Sequence, residues 1–222
     1  MSCCHHCHDA ENYFDQRDAR QRLERYRRSG PEGTTQLLVD ALRSSGVHGA
    51  TVLDIGGGVG VVHHELLRAG AARVTDVDAS SAYLAAARLE SQRHGYAERV
   101  QYLHGDFVAL APEIAPADVV ILDRVVCCYP DMPALVGAAA ARANHLLGLV
   151  FPRDEWWVQA GVRLVNLGFA LQRSAFRIFC HPTAAVEAEV RQAGLSRRSY
   201  RASGLWQVVV FERRADHEYV QE

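Results

Sequence analysis

Lysine is absent from this chain of 222 residues; all 24 of its basic side chains are arginine. That bias reads as genome composition and carries no functional signal by itself. Against 26 acidic residues it leaves a formal net charge of −2 and a pI near 6.6. A non-specific polyanion binder carries a basic excess, so general nucleic-acid binding is disfavoured. No apolar run reaches the ~18–20 residues that a membrane helix needs. The first fourteen residues lack the apolar core of a secretory leader. The six cysteines sit at 3, 4, 7, 127, 128 and 180. Such clusters, without an export signal, do not form a disulfide framework, and the expected compartment is the reducing cytoplasm. Disorder over most of the chain is excluded too, because 49% hydrophobic content supplies enough apolar surface to offset the ordering entropy.

What is present is an alternation of strands and helices. Residues 10–28 read as a charged helix with Tyr13, Phe14, Leu23 and Tyr26 as apolar anchors, broken by Ser29, Gly30 and Pro31. A second helix is expected over 32–45. Strands are expected at 51–55, 73–77, 100–104, 118–122 and 146–151, with helices at 61–69, 80–94 and 132–144 between them. Short, nearly all-apolar strands separated by helices predict a parallel sheet covered on both faces. The tail reads as helices at 155–171 and 183–193, then two strands, 196–202 and 205–212, around Ser203-Gly204. The simplest division is a cap over 1–48, one α/β domain over 49–214 and a tail over 215–222.

The informative segment is Val52-Leu-Asp-Ile-Gly-Gly-Gly-Val-Gly60. Glycines between a strand and a helix let the backbone turn sharply and approach a ligand without a Cβ in the way. The helix start beyond them offers free N–H groups and a positive dipole end. Asp54 precedes the glycines, and Asp78 ends the second strand, where an acid can accept both hydroxyls of an adenosine ribose. Asp76 is the rival for that role, and the strand end favours Asp78. Asp106 and Phe107 follow the third strand, where a carboxylate could take an adenine amine and a ring could lie against the base.

The pattern D-x-G-x-G-x-G, an acid ending strand two and G-D-F after strand three resembles the class I S-adenosylmethionine-dependent methyltransferases. The resemblance implies an α/β, Rossmann-like, seven-stranded, mostly parallel sheet with helices on both faces, here with an N-terminal helical extension. It implies S-adenosyl-L-methionine as cofactor, held by Asp54, Gly56, Gly57, Gly58, Gly60, Asp78, Ala79, Asp106, Phe107 and Asp123. The N-terminal Tyr-Phe-Asp helix, the segment Leu122-Asp-Arg-Val-Val-Cys-Cys-Tyr-Pro130 and the apolar helix over 155–172 are further similar to magnesium-protoporphyrin O-methyltransferases and related small-molecule enzymes. A small-molecule acceptor is therefore expected, with Arg124 and Tyr129 as candidate catalytic residues at its mouth. Arg124 could bind an acidic acceptor or pair with Asp123 or Asp131.

Other readings stay open at this level. A nicotinamide oxidoreductase shares the glycine turn and the acid after strand two, but its spacing is G-x-G-x-x-G. A cofactor-binding or metal-responsive module without turnover is a third class. Cys3, Cys4 and Cys7, with three histidines among them, are soft ligands suited to zinc or copper, or a terminus that binds metal opportunistically. Cys127 and Cys128 read as a buried apolar pair. Trp156 and Trp157 could stack a planar substrate or pack a lid. His63 and His64 lie too far back on their helix to reach a substrate. Neither the methylated atom nor the oligomeric state is legible.

Overall fold

A computed structural model describes residues 11, 13–174 and 176–213. Cys3, Cys4 and Cys7 lie outside the described residues, as do residues 214–222.

Among the described residues two full helices precede the sheet, and residues 11 and 13 are helical as well. Helix α1, Gln16–Ser29, begins after a break at Phe14 and Asp15, where the Asp15 carboxylate accepts the Asp18 N–H at 2.9 Å and caps it. Helix α2 spans Gly33–Ser44. Strands β1, Thr51–Ile55; β2, Arg73–Asp78; β3, Val100–His104; β4, Ala117–Asp123; and β5, Ala143–Pro152, then alternate with helices. These are α3, Val61–Arg68; α4, Ser81–Arg93; the single turn α5, Phe107–Leu110; and α6, Met132–Arg142. Strand β5 starts three residues earlier than expected. Ala143 already pairs with Ala117, so the helix before it ends at Arg142. Helices α7, Trp156–Leu171, and α8, Thr183–Gln192, lead to β6, Leu195–Ser203, and β7, Trp206–Arg213.

The seven strands run in the order β3-β2-β1-β4-β5-β7-β6. All pairs are parallel except those of β7, which is antiparallel to both β5 and β6. This is the expected α/β architecture. Side-chain alternation divides the core cleanly between two faces. Val120 and Leu122 of β4 join Leu147, Leu149 and Phe151 of β5 under α6 and α8. Val119 and Ile121, with Leu146 and Val150, pack under α2 and α3. Asp54 and Asp76 share the parity of Val52 and Val74, so both acids are driven into the α3 side of the sheet. A third cluster, with Leu23 and Tyr26 of α1 against Val59 and Tyr83, fastens α1 over the carboxyl end of the sheet. No described helix is long and apolar enough to cross a membrane.

Candidate active site

A cavity of about 720 Å³ opens at the carboxyl ends of β1, β2 and β4. In a parallel sheet this is where the strand order reverses and the crossovers part, leaving a crevice. Its floor is the turn after β1. Gly56, Gly58 and Gly60 have φ of 63°, 60° and 84°, a region closed to most side chains. A Cβ on Gly57 would lie 2.5 Å from Asp76 Oδ1 and 2.9 Å from Asp54 Oδ2, so the turn rides directly on two buried acids.

Those acids form the site's foundation. Asp54 Oδ2 lies 2.8 Å from His63 Nδ1, and both side chains are buried. Burial pushes the Asp54 carboxyl up to about 8, with the charge of Asp123 adding to it, and pushes His63 down to about 3. Burial, then the charges of Asp54 and Asp78, hold Asp76 well above the carboxylate range. His63 and His64 do not line the cavity. His63 instead anchors β1 to α3, and His64 Nε2 lies 2.8 Å from Ser91 Oγ.

Asp78 is placed differently. Its Oδ2 accepts the Gly58 N–H at 2.9 Å and its Oδ1 accepts the Ser80 N–H at 2.7 Å. Burial raises it to about 6, against those two hydrogen bonds. Each oxygen receives one donor from the glycine turn or from the start of α4 and keeps lone-pair capacity for more. Asp78 lines the cavity and Asp76 does not, which separates the two rivals.

Across the cavity, Asp106 caps the turn α5 by accepting the Val108 N–H at 3.1 Å. The Tyr129 hydroxyl donates to both Asp106 oxygens. Phe107 is buried and lines the same wall. After β4, Thr35 Oγ1 of α2 donates to Asp123 Oδ2 at 2.6 Å. Arg124 Nε donates to Asp123 Oδ1 at 3.2 Å, and another guanidinium nitrogen of Arg124 donates to Thr35 Oγ1 at 2.7 Å. Arg124 has a φ of 62°, a strained backbone for a long side chain, at the cavity edge.

Asp54, Gly56, Gly57, Gly58, Asp78, Ala79, Asp106, Phe107, Asp123, Arg124 and Tyr129 all line this one cavity. Gly60 does not, and serves instead as the N-cap of α3. The sequence reading missed Arg22 and Arg25 of α1, which also line it. Their spacing of three puts them on one helix face, but charged residues cover α1 everywhere outside the Ala19, Leu23 and Tyr26 stripe, so their charge does not single them out. It also missed the aromatic clasp above. The Tyr13 ring stacks on Phe176, with centroids 4.3 Å apart and planes 4° apart, while Phe14 and Phe169 meet Phe176 edge-on. Trp157, Val158 and Val162 of α7 line the cavity, whereas Trp156 is 79% exposed and faces away.

Residues 52–146 match the methyltransferase-domain family. That stretch, 95 of the 222 residues, carries a methyltransferase domain. Among curated relatives, the ribosomal protein L11 methyltransferase of Yersinia pestis is 30% identical over 119 residues, 53% of this chain and 39% of that protein. The chain thus spans about two fifths of the length of the curated relatives it matches. Among solved structures, magnesium protoporphyrin IX methyltransferase from Synechocystis PCC 6803 with bound SAH superposes with a TM-score of 0.70 at 21% identity, covering 92% of this chain and 98% of that one. An O-methyltransferase family protein from Burkholderia thailandensis superposes with a TM-score of 0.66 at 24% identity, covering 82% of this chain and 57% of that one. These structural likenesses establish the fold.

Proposed function

We propose that the protein transfers the methyl group of S-adenosylmethionine to a small anionic acceptor, a carboxylate-bearing compound such as a porphyrin. The observation that carries the anionic reading is Arg25. It lines the cavity and forms no ion pair among the described residues, beside Arg22 and Arg124, which are held by Asp18 and Asp123. An unpaired guanidinium in a cavity is a ready bidentate receptor for a carboxylate.

The residues present suit the donor. The glycine turn offers a floor without side chains, and Asp78 keeps acceptor capacity for two ribose hydroxyls. In this reading Gly56, Gly57 and Gly58 face the methionine part, with Asp54 beneath the turn and Gly60 ending it. Asp78 and Ala79 take the ribose, and Asp106 and Phe107 frame the adenine. Asp123 and Arg124 sit beside the reacting end, with Tyr129 near it. When bound, the sulfonium supplies an activated methyl group. The chain's own contribution is alignment and exclusion of water by α1, the aromatic clasp and α7. Alignment alone is worth ~7–11 kcal/mol. A carboxylate acceptor is ionised at neutral pH and needs no general base. Of the expected cap over 1–48 and domain over 49–214, the described residues 13–48 cap this site and those from 49 to 213 form the domain. The protein works in the cytoplasm.

Isothermal titration with S-adenosylhomocysteine, and with NAD in parallel, tests the cofactor. Binding of the first in the micromolar range and none of the second is expected; the reverse would overturn the reading. An acceptor screen with labelled S-adenosylmethionine then compares magnesium-protoporphyrin and other carboxylates with purified ribosomal protein L11. A protein acceptor is the second reading, favoured by the sequence match to the L11 enzymes. Methylation of L11 and of none of the carboxylates would replace the first reading with it.

A further inference from the structure

Cys127 and Cys128 lie in the cavity wall just beyond Arg124. The left-handed backbone of Arg124 and the short turn Val126–Cys128 fold the chain back on itself there. Both thiols therefore address the same oxygen. Cys127 Sγ is 3.4 Å and Cys128 Sγ 3.6 Å from the Arg124 carbonyl, and the two sulfurs are 3.7 Å apart. Both cysteines are free. A disulfide would draw the sulfurs to ~2.05 Å, and adjacent cysteines reach that only with strain.

The separation matches a different bond. Two thiolates each ~2.3 Å from one tetrahedral metal ion stand roughly 3.7–3.8 Å apart. The two sulfurs thus already stand at the separation a chelate needs. The pair's electrostatics agree. The hydrogen bond from Cys127 holds the Cys128 thiol below its usual range, burial opposes this, and the guanidinium groups of Arg22 and Arg124 add to the lowering. The same hydrogen bond, then burial, holds Cys127 well above that range. The thiolate is the species that binds soft centres, so both thiols give up their protons on binding.

We propose that Cys127 and Cys128 form a two-thiol site in the cavity wall for a soft, thiophilic centre, either a divalent cation of the zinc group or a trivalent arsenical. This inference does not depend on the identity of the methyl acceptor. Among the described residues no group of three metal-ligating side chains occurs, so the ligand brings its remaining groups with it. For a cation these are waters, and binding releases the two thiol protons to solvent. For an aryl arsenoxide the third group is the aryl carbon. Its As=O bond breaks and two As–S bonds form. The oxygen leaves as one water, taking the two thiol protons. Arsenic stays trivalent and nothing is oxidised.

The test uses the full chain carrying Cys3→Ser, Cys4→Ser and Cys7→Ser, which removes the competing N-terminal thiols. One arm titrates phenylarsine oxide and the other cadmium ion, followed by the ultraviolet thiolate-to-cadmium absorption and by native mass. The expected result is one equivalent per chain in at least one arm, the arm naming the source. Binding should weaken at least tenfold in Cys128→Ser and stay unchanged in Cys180→Ser, with circular dichroism checking the fold. Should Cys128→Ser not fold, alkylation of Cys128 in the folded background serves in its place. Absence of stoichiometric binding in both arms overturns the proposal, as does undiminished binding after loss of the Cys128 thiol.

Discussion

The Tyr129 hydroxyl stands 3.1 Å from Asp106 Oδ1 and 3.2 Å from Asp106 Oδ2, donating into the middle of the carboxylate. Asp106 follows β3 and Tyr129 follows the turn after β4, so this contact ties two loops that the sheet order keeps apart, since β2 and β1 lie between their strands. His181 Nε2, 3.0 Å from the Tyr129 carbonyl, extends the tie to the segment before α8. Tyr129 thus acts on the wall around Asp106.

The first prediction follows from that contact. Tyr129→Phe keeps the ring and deletes one hydrogen bond to a carboxylate. Hydrogen bonds to charged groups are worth about 1.5–3 kcal/mol net, and partial exposure puts this one at or below the low end. We expect S-adenosylhomocysteine to bind roughly fivefold to tenfold more weakly, with little change in the thermal midpoint. Titration calorimetry checks it; unchanged affinity would remove Asp106 from the cofactor wall.

The buried charges beneath the glycine turn predict a pH dependence of stability. Asp54 is raised to about 8, Asp78 to about 6 and Asp76 well above its usual value, all chiefly by burial. A carboxyl raised on folding binds more protons folded than unfolded, so its contribution is fully present at low pH and is lost as pH rises through the folded value. His63, lowered to about 3 by burial, has the opposite sign: its contribution is present above pH ~6.5 and lost as pH falls. Above pH 6.5 only the acids still titrate. The unfolding free energy from urea titration, and the midpoint with it, should therefore fall between pH 6.5 and 8.5, the free energy by up to about 1.4 kcal/mol per pH unit for each group still titrating. Asp54→Asn should flatten that fall. A midpoint that holds steady across the range in the natural sequence would mean that these acids ionise freely in the fold.

Asp54 and Asp76 together make Gly57 irreplaceable. A Cβ there meets Asp76 Oδ1 at 2.5 Å, and neither acid can retreat, because both are buried within the packing of the sheet and α3. Overpacking of this kind costs about 1–3 kcal/mol. Gly57→Ala should lower the thermal midpoint by several degrees and abolish S-adenosylhomocysteine binding. A variant that kept both would show that the turn can lift off its foundation.

Much of this site was legible in the sequence, for physical reasons. The strands declare themselves by apolar runs, and a glycine turn with acids at fixed offsets has few other uses. Asp78 could be preferred to Asp76 because the strand end faces the crevice. The partners of those residues were not legible. His63 meets Asp54 only because one helical turn beyond the glycines brings it back under the strand. Thr35 reaches Asp123 and Arg124 from 88 and 89 residues away. No local pattern encodes a contact of that range. Arg22 and Arg25 were hidden among the other arginines of α1, whose orientation is set by Leu23 and Tyr26 docking against Val59 and Tyr83.

Those two arginines carry the last prediction. Arg22 is held by Asp18 at 2.7 Å and lies over the Tyr83 ring, so its charge is partly spent within the cap. Arg25 has no such partner among the described residues. If the acceptor is anionic, Arg25→Ala removes a charge-assisted contact to it and nothing from the donor side, because the glycine turn, Asp78 and Asp106 belong to other elements. The KM for the acceptor should rise about tenfold, which corresponds to ~1.4 kcal/mol, with kcat little changed and S-adenosylhomocysteine affinity intact. Raising the salt concentration should reproduce part of the effect in the natural sequence and less of it in the variant, since screening acts on the charge that the variant lacks. Steady-state kinetics at two ionic strengths checks both. A KM that is indifferent to Arg25 and to salt would mean that the acceptor presents no anionic group to α1.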